Sequence, residues 1–91
     1  MTTKHPSVAA IIPVFNGART IARAIDSVLA QRFGGDIEIV VVNDGSTDST
    51  AEVLRAYGDR IKVVTQENRG LAAARNTGVR NSVGEYLAFL D

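Results

Sequence analysis

The sequence contains no cysteine. That excludes a disulfide framework, a thiolate metal site and a cysteine nucleophile, and it fits a reducing compartment. Neither sign of charge is in excess, since Lys plus Arg and Asp plus Glu each number 10. No basic stripe interleaved with aromatics is present to track a phosphate backbone, so nucleic acid is not an expected partner. Long apolar runs are missing too. The start, Met1 to Ser7, leads into an apolar stretch of only about five residues, too short for a secretory core or a membrane span. The reading is a cytoplasmic chain, with a parent at the cytoplasmic face of a membrane left open. Two nucleotide fingerprints are also absent: no G-x-G-x-x-G follows the first apolar run, and G-x-x-x-x-G-K-[ST] occurs nowhere.

What is present describes a folding chain. Hydrophobic residues make up 45% and charged residues 22% of the 91 positions, ordinary values for one packed domain. A domain this small buries only about 60 to 65% of its unfolded surface, so its stability margin is thin. Val8–Ile12, closed by Pro13, reads as a strand buried on both faces. After the Asn16-Gly17 turn, Ile21, Ile25, Val28 and Leu29 share one helical face, and Phe33-Gly34-Gly35 ends that helix near Arg32. Ile37–Val42 is a second, β-branched strand ending at Asn43-Asp44-Gly45. A second helix is capped at Ser46 or at Ser49, which has capping-box spacing to Glu52. It carries Val53, Leu54 and Tyr57 and stops at Gly58. Ile61–Val64, with its inner Lys62, suits a sheet edge. A third helix from Gly70 to about Ser82 has Ala72, Ala73, Ala74 and Gly78 for close approach to a sheet, and Tyr86–Leu90 is a fourth strand. The order β-α-β-α-β-α-β predicts a Rossmann-like α/β domain of three layers, with four parallel strands joined by right-handed crossovers.

Ligands of open parallel sheets bind beyond the carboxyl ends of the strands. The residues there are Pro13 to Gly17, Asn43 to Ser46, Gln66 to Gly70, and Asp91. Asp44 is the first candidate, because a carboxylate accepts hydrogen bonds from a base or ribose and Gly45 permits close backbone approach. The competing reading makes Asp44 an Asx turn. Asp48 reads as a cap or a first-turn charge. Gly70 opens a helix whose amides suit a diphosphate, with Arg75 or Arg69 as the accompanying cation and a solvated helix face as the alternative. Phe15 is either a wall against a flat base or core packing. Asn68 and Asn76 read as structural. Asp91 alone is a weak metal signal, because Mg²⁺-type ions need several oxygens.

Five segments, Ile11-Ile-Pro-Val-Phe-Asn-Gly17, Asp26-Ser-Val-Leu-Ala-Gln31, Val41-Val-Asn-Asp-Gly-Ser-Thr-Asp48, Asn68-Arg-Gly-Leu-Ala-Ala-Ala-Arg-Asn-Thr-Gly78 and Gly84-Glu-Tyr-Leu-Ala-Phe-Leu-Asp91, resemble family 2 glycosyltransferases of the GT-A fold. The resemblance covers nearly the whole chain. It implies inverting transfer of a sugar from a nucleotide diphosphate donor, a UDP-sugar above all, to an acceptor hydroxyl, with Mn²⁺ or Mg²⁺ as Lewis acid. Carried over by position, Pro13 and Phe15 line the base pocket and Asp44 accepts the pyrimidine N3 hydrogen. Gly70 and Arg75 lie along the nucleotide and diphosphate, and Asp91, the metal-site candidate, resembles the first acid of the family's D-x-D motif, whose last acid holds the metal on the diphosphate.

The second D-x-D acid, the acceptor-binding half and the general base have no counterpart in the chain. The expectation is therefore the front, donor-binding part of a truncated GT-A fold, inactive in transfer by itself. An open sheet edge predicts self-association. Two other classes fit the alternation alone: a receiver-like or flavodoxin-like binding module with Asp44 as a switch, and an NAD-binding domain with Asp44 on the ribose. The five family-type motifs disfavour the first, and the missing glycine fingerprint disfavours the second.

Overall fold

A computed structural model describes residues 8–31, 37–84 and 86–89. Four parallel strands, β1 (Val8–Val14), β2 (Ile37–Asp44), β3 (Lys62–Gln66) and β4 (Tyr86–Phe89), lie in the order β3-β2-β1-β4. The helices are α1 (Ile21–Ala30), α2 (Thr50–Arg55) and α3 (Leu71–Arg80), and a 3₁₀ turn at Gly58–Arg60 precedes β3. The first two crossovers step outward from β1 to β3, and the third steps back past β1 to β4. Right-handed crossovers then place α3 on the face opposite α1 and α2.

The two cores show this division. On one face Ala10, Ile12, Val14, Ile39 and Val41 pack with Ile21, Ile25 and Val28 of α1 and with Leu54, Tyr57 and Ile61. On the other, Ala9, Ile11, Val40 and Val42 pack against Ala74 of α3. Alternate residues of β1 and β2 thus serve opposite faces, which is why both strands read as unbroken apolar runs. The α3 face is built for contact: a Cβ at Gly78 would overlap Ile11 Cγ2 and meet Val42 Cγ2 at 3.4 Å. Among the small residues of this helix, Ala74 and Gly78 face the sheet while Ala72 faces solvent. Tyr57 ties the α2 end to α1, its hydroxyl donating to Asp26 Oδ1 at 2.7 Å and to Ala22 O at 3.2 Å.

Several boundaries differ from the sequence reading. Pro13 does not close β1, which runs to Val14. Its missing N–H is tolerated because pairing to β4, within the described residues, stops at Ile11↔Phe89, while Pro13 pairs only with Val42. β2 extends to Asp44, and β3 runs Lys62–Gln66 rather than Ile61–Val64, at the sheet edge that Lys62 suggested. α2 starts at Thr50, so Ser49 holds the cap position and Ser46 does not, and no side chain of Ser49 makes a capping bond. Tyr57 is buried but follows the helix, and α3 ends at Arg80. The expected turn at Phe33-Gly34-Gly35, Leu90 and Asp91 lie outside the described residues. No helix among those described is long and apolar enough to cross a membrane.

Candidate functional site

Beyond the carboxyl ends of β1 and β2, under the first turn of α3, is a cavity of about 210 Å³ lined by Pro13, Val14, Phe15, Asp44, Asn68, Gly70, Leu71 and Ala74. Its volume lies below the roughly 300 to 1,000 Å³ of complete small-molecule sites, so it suits one ring of a larger ligand. Phe15 is 52% exposed, a wall of this cavity rather than core packing. A roomier groove between α2 and β3, lined by Asn43, Ala51, Leu54, Arg55, Gly58, Ile61, Val63 and Thr65, offers Arg55 as its one charged side chain.

Asp44 forms the polar floor. It is 4% exposed, and three donors reach its carboxylate: Gln66 Nε2 at 2.8 Å and Arg69 N at 2.9 Å to Oδ1, and Gly70 N at 3.0 Å to Oδ2. Burial pushes its pKa up, but the donors from Gln66, Arg69 and Gly70, helped by the Arg69 charge, outweigh it and hold the acid below its ordinary value. Asp44 therefore presents acceptors only. The local side-chain bond at this corner is made instead by Asn43, whose Oδ1 accepts Ser46 N, three residues on, at 3.1 Å. Asn68 Nδ2 donates to Asp44 O at 3.1 Å, the structural role expected of it, and a Cβ at Gly45 would stand 2.6 Å from Asn68 N. The close approach permitted by Gly45 is thus made by the chain's own loop.

Gly70 has φ 94 and ψ 169, a region essentially reserved for glycine, and precedes the first residue of α3. Its amide is directed to Asp44, so Asp44 and Gly70 stand side by side at the rim. Arg75 does not line the cavity. Its guanidinium lies over the Phe89 ring, 5.8 Å from the centroid, at the end of β4. Asp91 lies outside the described residues, among which no group of three or more His, Cys, Asp or Glu could hold a metal. Mg²⁺-type ions commonly take one or two carboxylates together with substrate phosphates, so the described residues alone do not make up such a site.

Two residues missed from the sequence organise the rim. Asn16, at φ 52, accepts Thr47 N at 2.7 Å and Asp48 N at 3.2 Å on Oδ1, and its own N–H donates to Ser46 Oγ at 2.8 Å. Asp48 completes the clasp, accepting Ala18 N at 3.2 Å, Thr50 N at 2.9 Å and the Thr50 hydroxyl. These bonds, the Thr50 hydroxyl first, hold Asp48 below its ordinary pKa. Gln66 is the second, reaching both Asp44 and Thr77. The signal for Asn16 was its place in an Asn-Gly pair; for Gln66 there was none.

Comparison with known proteins agrees with this architecture. The model of the family described as "Glycosyl transferase family 2" matches residues 9–91. An uncharacterized glycosyltransferase of Rickettsia typhi is 49% identical over 88 residues, which are 97% of this chain and 27% of that protein. Among solved structures, the mannosyltransferase PcManGT of Pyrobaculum calidifontis, in complex with GDP-Man and Mn²⁺, is 32% identical with a TM-score of 0.80, covering 93% of this chain and 27% of the other. TarS 1-349 of S. aureus in complex with UDP is 30% identical with a TM-score of 0.83, at 93% and 27% coverage. The chain spans about a quarter of the length of these three. A parallel α/β sheet, a rim pocket over its carboxyl ends and a family match across nearly all residues converge on one conclusion: the chain belongs to glycosyl transferase family 2.

Proposed function

We propose that the chain is the donor-binding part of an inverting glycosyltransferase, and that its rim cavity takes the base of a nucleotide diphosphate sugar. The observation that carries this is the convergence of Pro13, Phe15, Asp44 and Gly70 on one ring-sized cavity whose floor is an ionised, acceptor-only carboxylate. Such a floor favours a base edge with a ring N–H, as in uracil or guanine, over cytosine, whose N3 is itself an acceptor. Phe15 supplies a face for stacking, an interaction worth about 1 to 3 kcal/mol. Arg75, over Phe89 at the end of β4, would supply a positive charge along the diphosphate. In the transfer itself an acceptor oxygen bonds to the anomeric carbon as the bond to the diphosphate breaks, and the hydroxyl proton goes to a base supplied by the rest of the protein. A divalent cation would polarise the diphosphate, with Asp91 as one of its ligands.

A thermal-shift and NMR titration with UDP, GDP and NAD tests the reading. A ligand that binds only the folded chain stabilises it by about 2.7 kcal/mol at a hundredfold excess over Kd. UDP is expected to raise the melting temperature and to shift the Phe15 and Gly70 amide resonances, and Phe15→Ala to weaken UDP about tenfold with little loss of stability. Greater stabilisation by NAD, or no response to either UDP or GDP, would overturn it.

A further inference from the structure

An ionised carboxylate offers about four lone-pair positions. In Asp44, which lines the cavity, three are taken, two on Oδ1 and one on Oδ2, leaving a single acceptor position on Oδ2. Two of the three donors are backbone amides, which any sequence provides. The third is the Gln66 side chain, and a carboxamide can present either its nitrogen or its oxygen. Thr77 decides which. Its hydroxyl lies 2.6 Å from Gln66 Oε1 and donates there in preference to Ala73 O at 3.0 Å, while Arg80 Nη2 donates to the same hydroxyl at 3.3 Å. With Oε1 engaged, Nε2 must face Asp44; the flipped amide would set oxygen against oxygen.

Resting on the donor-binding reading above, we propose that Gln66 and Thr77 are positioning residues: their relay from α3 through β3 fills Asp44 Oδ1 and leaves Oδ2 as the acceptor that selects a base carrying a ring N–H. Neither residue touches the ligand in this arrangement. Both act by fixing which oxygen is spare and how the carboxylate is turned. The charged groups facing Asp44 are few, with Arg69 contributing the one favourable charge from the β3 to α3 loop.

The test compares UDP with CDP by calorimetry on the chain and on Gln66→Leu, Thr77→Val and Thr77→Ser, together with NMR titration of the Asp44 carboxyl carbon. UDP is expected to bind about tenfold or more tighter than CDP. Gln66→Leu keeps the volume but removes the donor, and should cut that ratio about fivefold or more, chiefly by weakening UDP. Thr77→Val should lower it less, and Thr77→Ser, which keeps the hydroxyl, should retain it. Because a lost donor destabilises the ionised form, the Asp44 midpoint should move upward in Gln66→Leu. An unchanged ratio with an unchanged Asp44 midpoint would overturn the relay. If Gln66→Leu does not fold, as judged by amide dispersion, Thr77→Val against Thr77→Ser decides on the same two readouts. Equal binding of UDP and CDP by the unsubstituted chain would instead strike the base-pocket reading, and the Asp44 midpoint would still score the relay.

Discussion

Replacing Gly45 with alanine would act on the whole rim. The residue sits at φ 74, and an added Cβ would stand 2.6 Å from Asn68 N and 3.1 Å from Asn68 Cα and Cβ. Two costs combine. Left-handed backbone for a residue with a Cβ costs about 1 to 2 kcal/mol, and an atom forced into packed surroundings costs about 1 to 3 kcal/mol. The Asn68 loop cannot retreat freely, because Asn68 Nδ2, Arg69 N and Gly70 N all donate to Asp44. A total near 3 kcal/mol follows. At about 4 to 8 °C per kcal/mol for a domain of this size, the melting temperature should fall by about 15 °C.

Gly70→Ala separates the two costs. There the backbone is at φ 94, but no atom lies within 4 Å of the added Cβ, so only strain applies. Circular dichroism melts should rank Gly45→Ala as the more damaging. In Gly45→Ala the Asp44 carboxyl should also titrate higher, since a displaced loop withdraws its donors. A fall of under about 1 kcal/mol with an unmoved Asp44 midpoint would show that the loop does not lean on Gly45, and the reasoning would fail.

Asn16→Gly keeps access to positive φ but removes the acceptor for Thr47 N and Asp48 N; because the site is exposed, water replaces part of it, and the melting temperature should drop by about 5 °C, with no drop refuting the clasp. Gly78→Ala forces a methyl onto Ile11 Cγ2 at the α3 face and should cost about 1 to 3 kcal/mol in a urea melt, whereas a neutral result would mean that α3 stands off the sheet. Asp44 and Asp48 both have folded pKa values below the ordinary one, so their contribution is complete above about pH 3.9 and is lost as pH falls through the lowered values. Urea midpoints measured from pH 6 to pH 2 should therefore be level down to about 4 and then decline, and a decline beginning above pH 5 would contradict the shifts.

The elements were legible because their signals are local. Ile37 to Val42 is β-branched at every position but Glu38, and Ile21, Ile25 and Val28 recur on one helical face whatever lies around them. Asp44 and Gly70 could be named as rim residues since topology alone sends strand ends there. Their direct bond could not, as it depends on how far β2 and β3 extend past the predicted ends. Pro13 misled because its penalty depends on whether a neighbour needs the missing N–H, a property of the sheet and not of the residue. Asn43 and Asp44 are both capable of bonding the turn that follows, and the tertiary donors from Gln66 to Gly70 that engage Asp44 leave that local bond to Asn43. Arg75, expected along the nucleotide and diphosphate, lies outside the cavity lining, and its ring partner Phe89 is on β4, the strand added beside β1. Gln66 carries no local mark at all: a polar residue near a strand end is ordinary, and its meaning comes from the two partners it joins.

The end of β2 explains why the pocket can be rigid in so small a domain. Residues from Ile39 to Asp44 are buried in succession, between β1 and β3, so this strand is the part least free to open locally. Both neighbouring loops are fastened to its exit and to the turn that follows. The loop after β1 is held through Asn16 to Ser46, Thr47 and Asp48, and the loop after β3 through Asp44. Neither loop bonds the other directly among the described residues. Phe15 and Gly70, which line the cavity from those two loops, are therefore positioned through β2 rather than by a bond between the loops. On the proposed function, a base ring entering this cavity would meet walls already positioned by folding, leaving little ordering of loops to be done on binding.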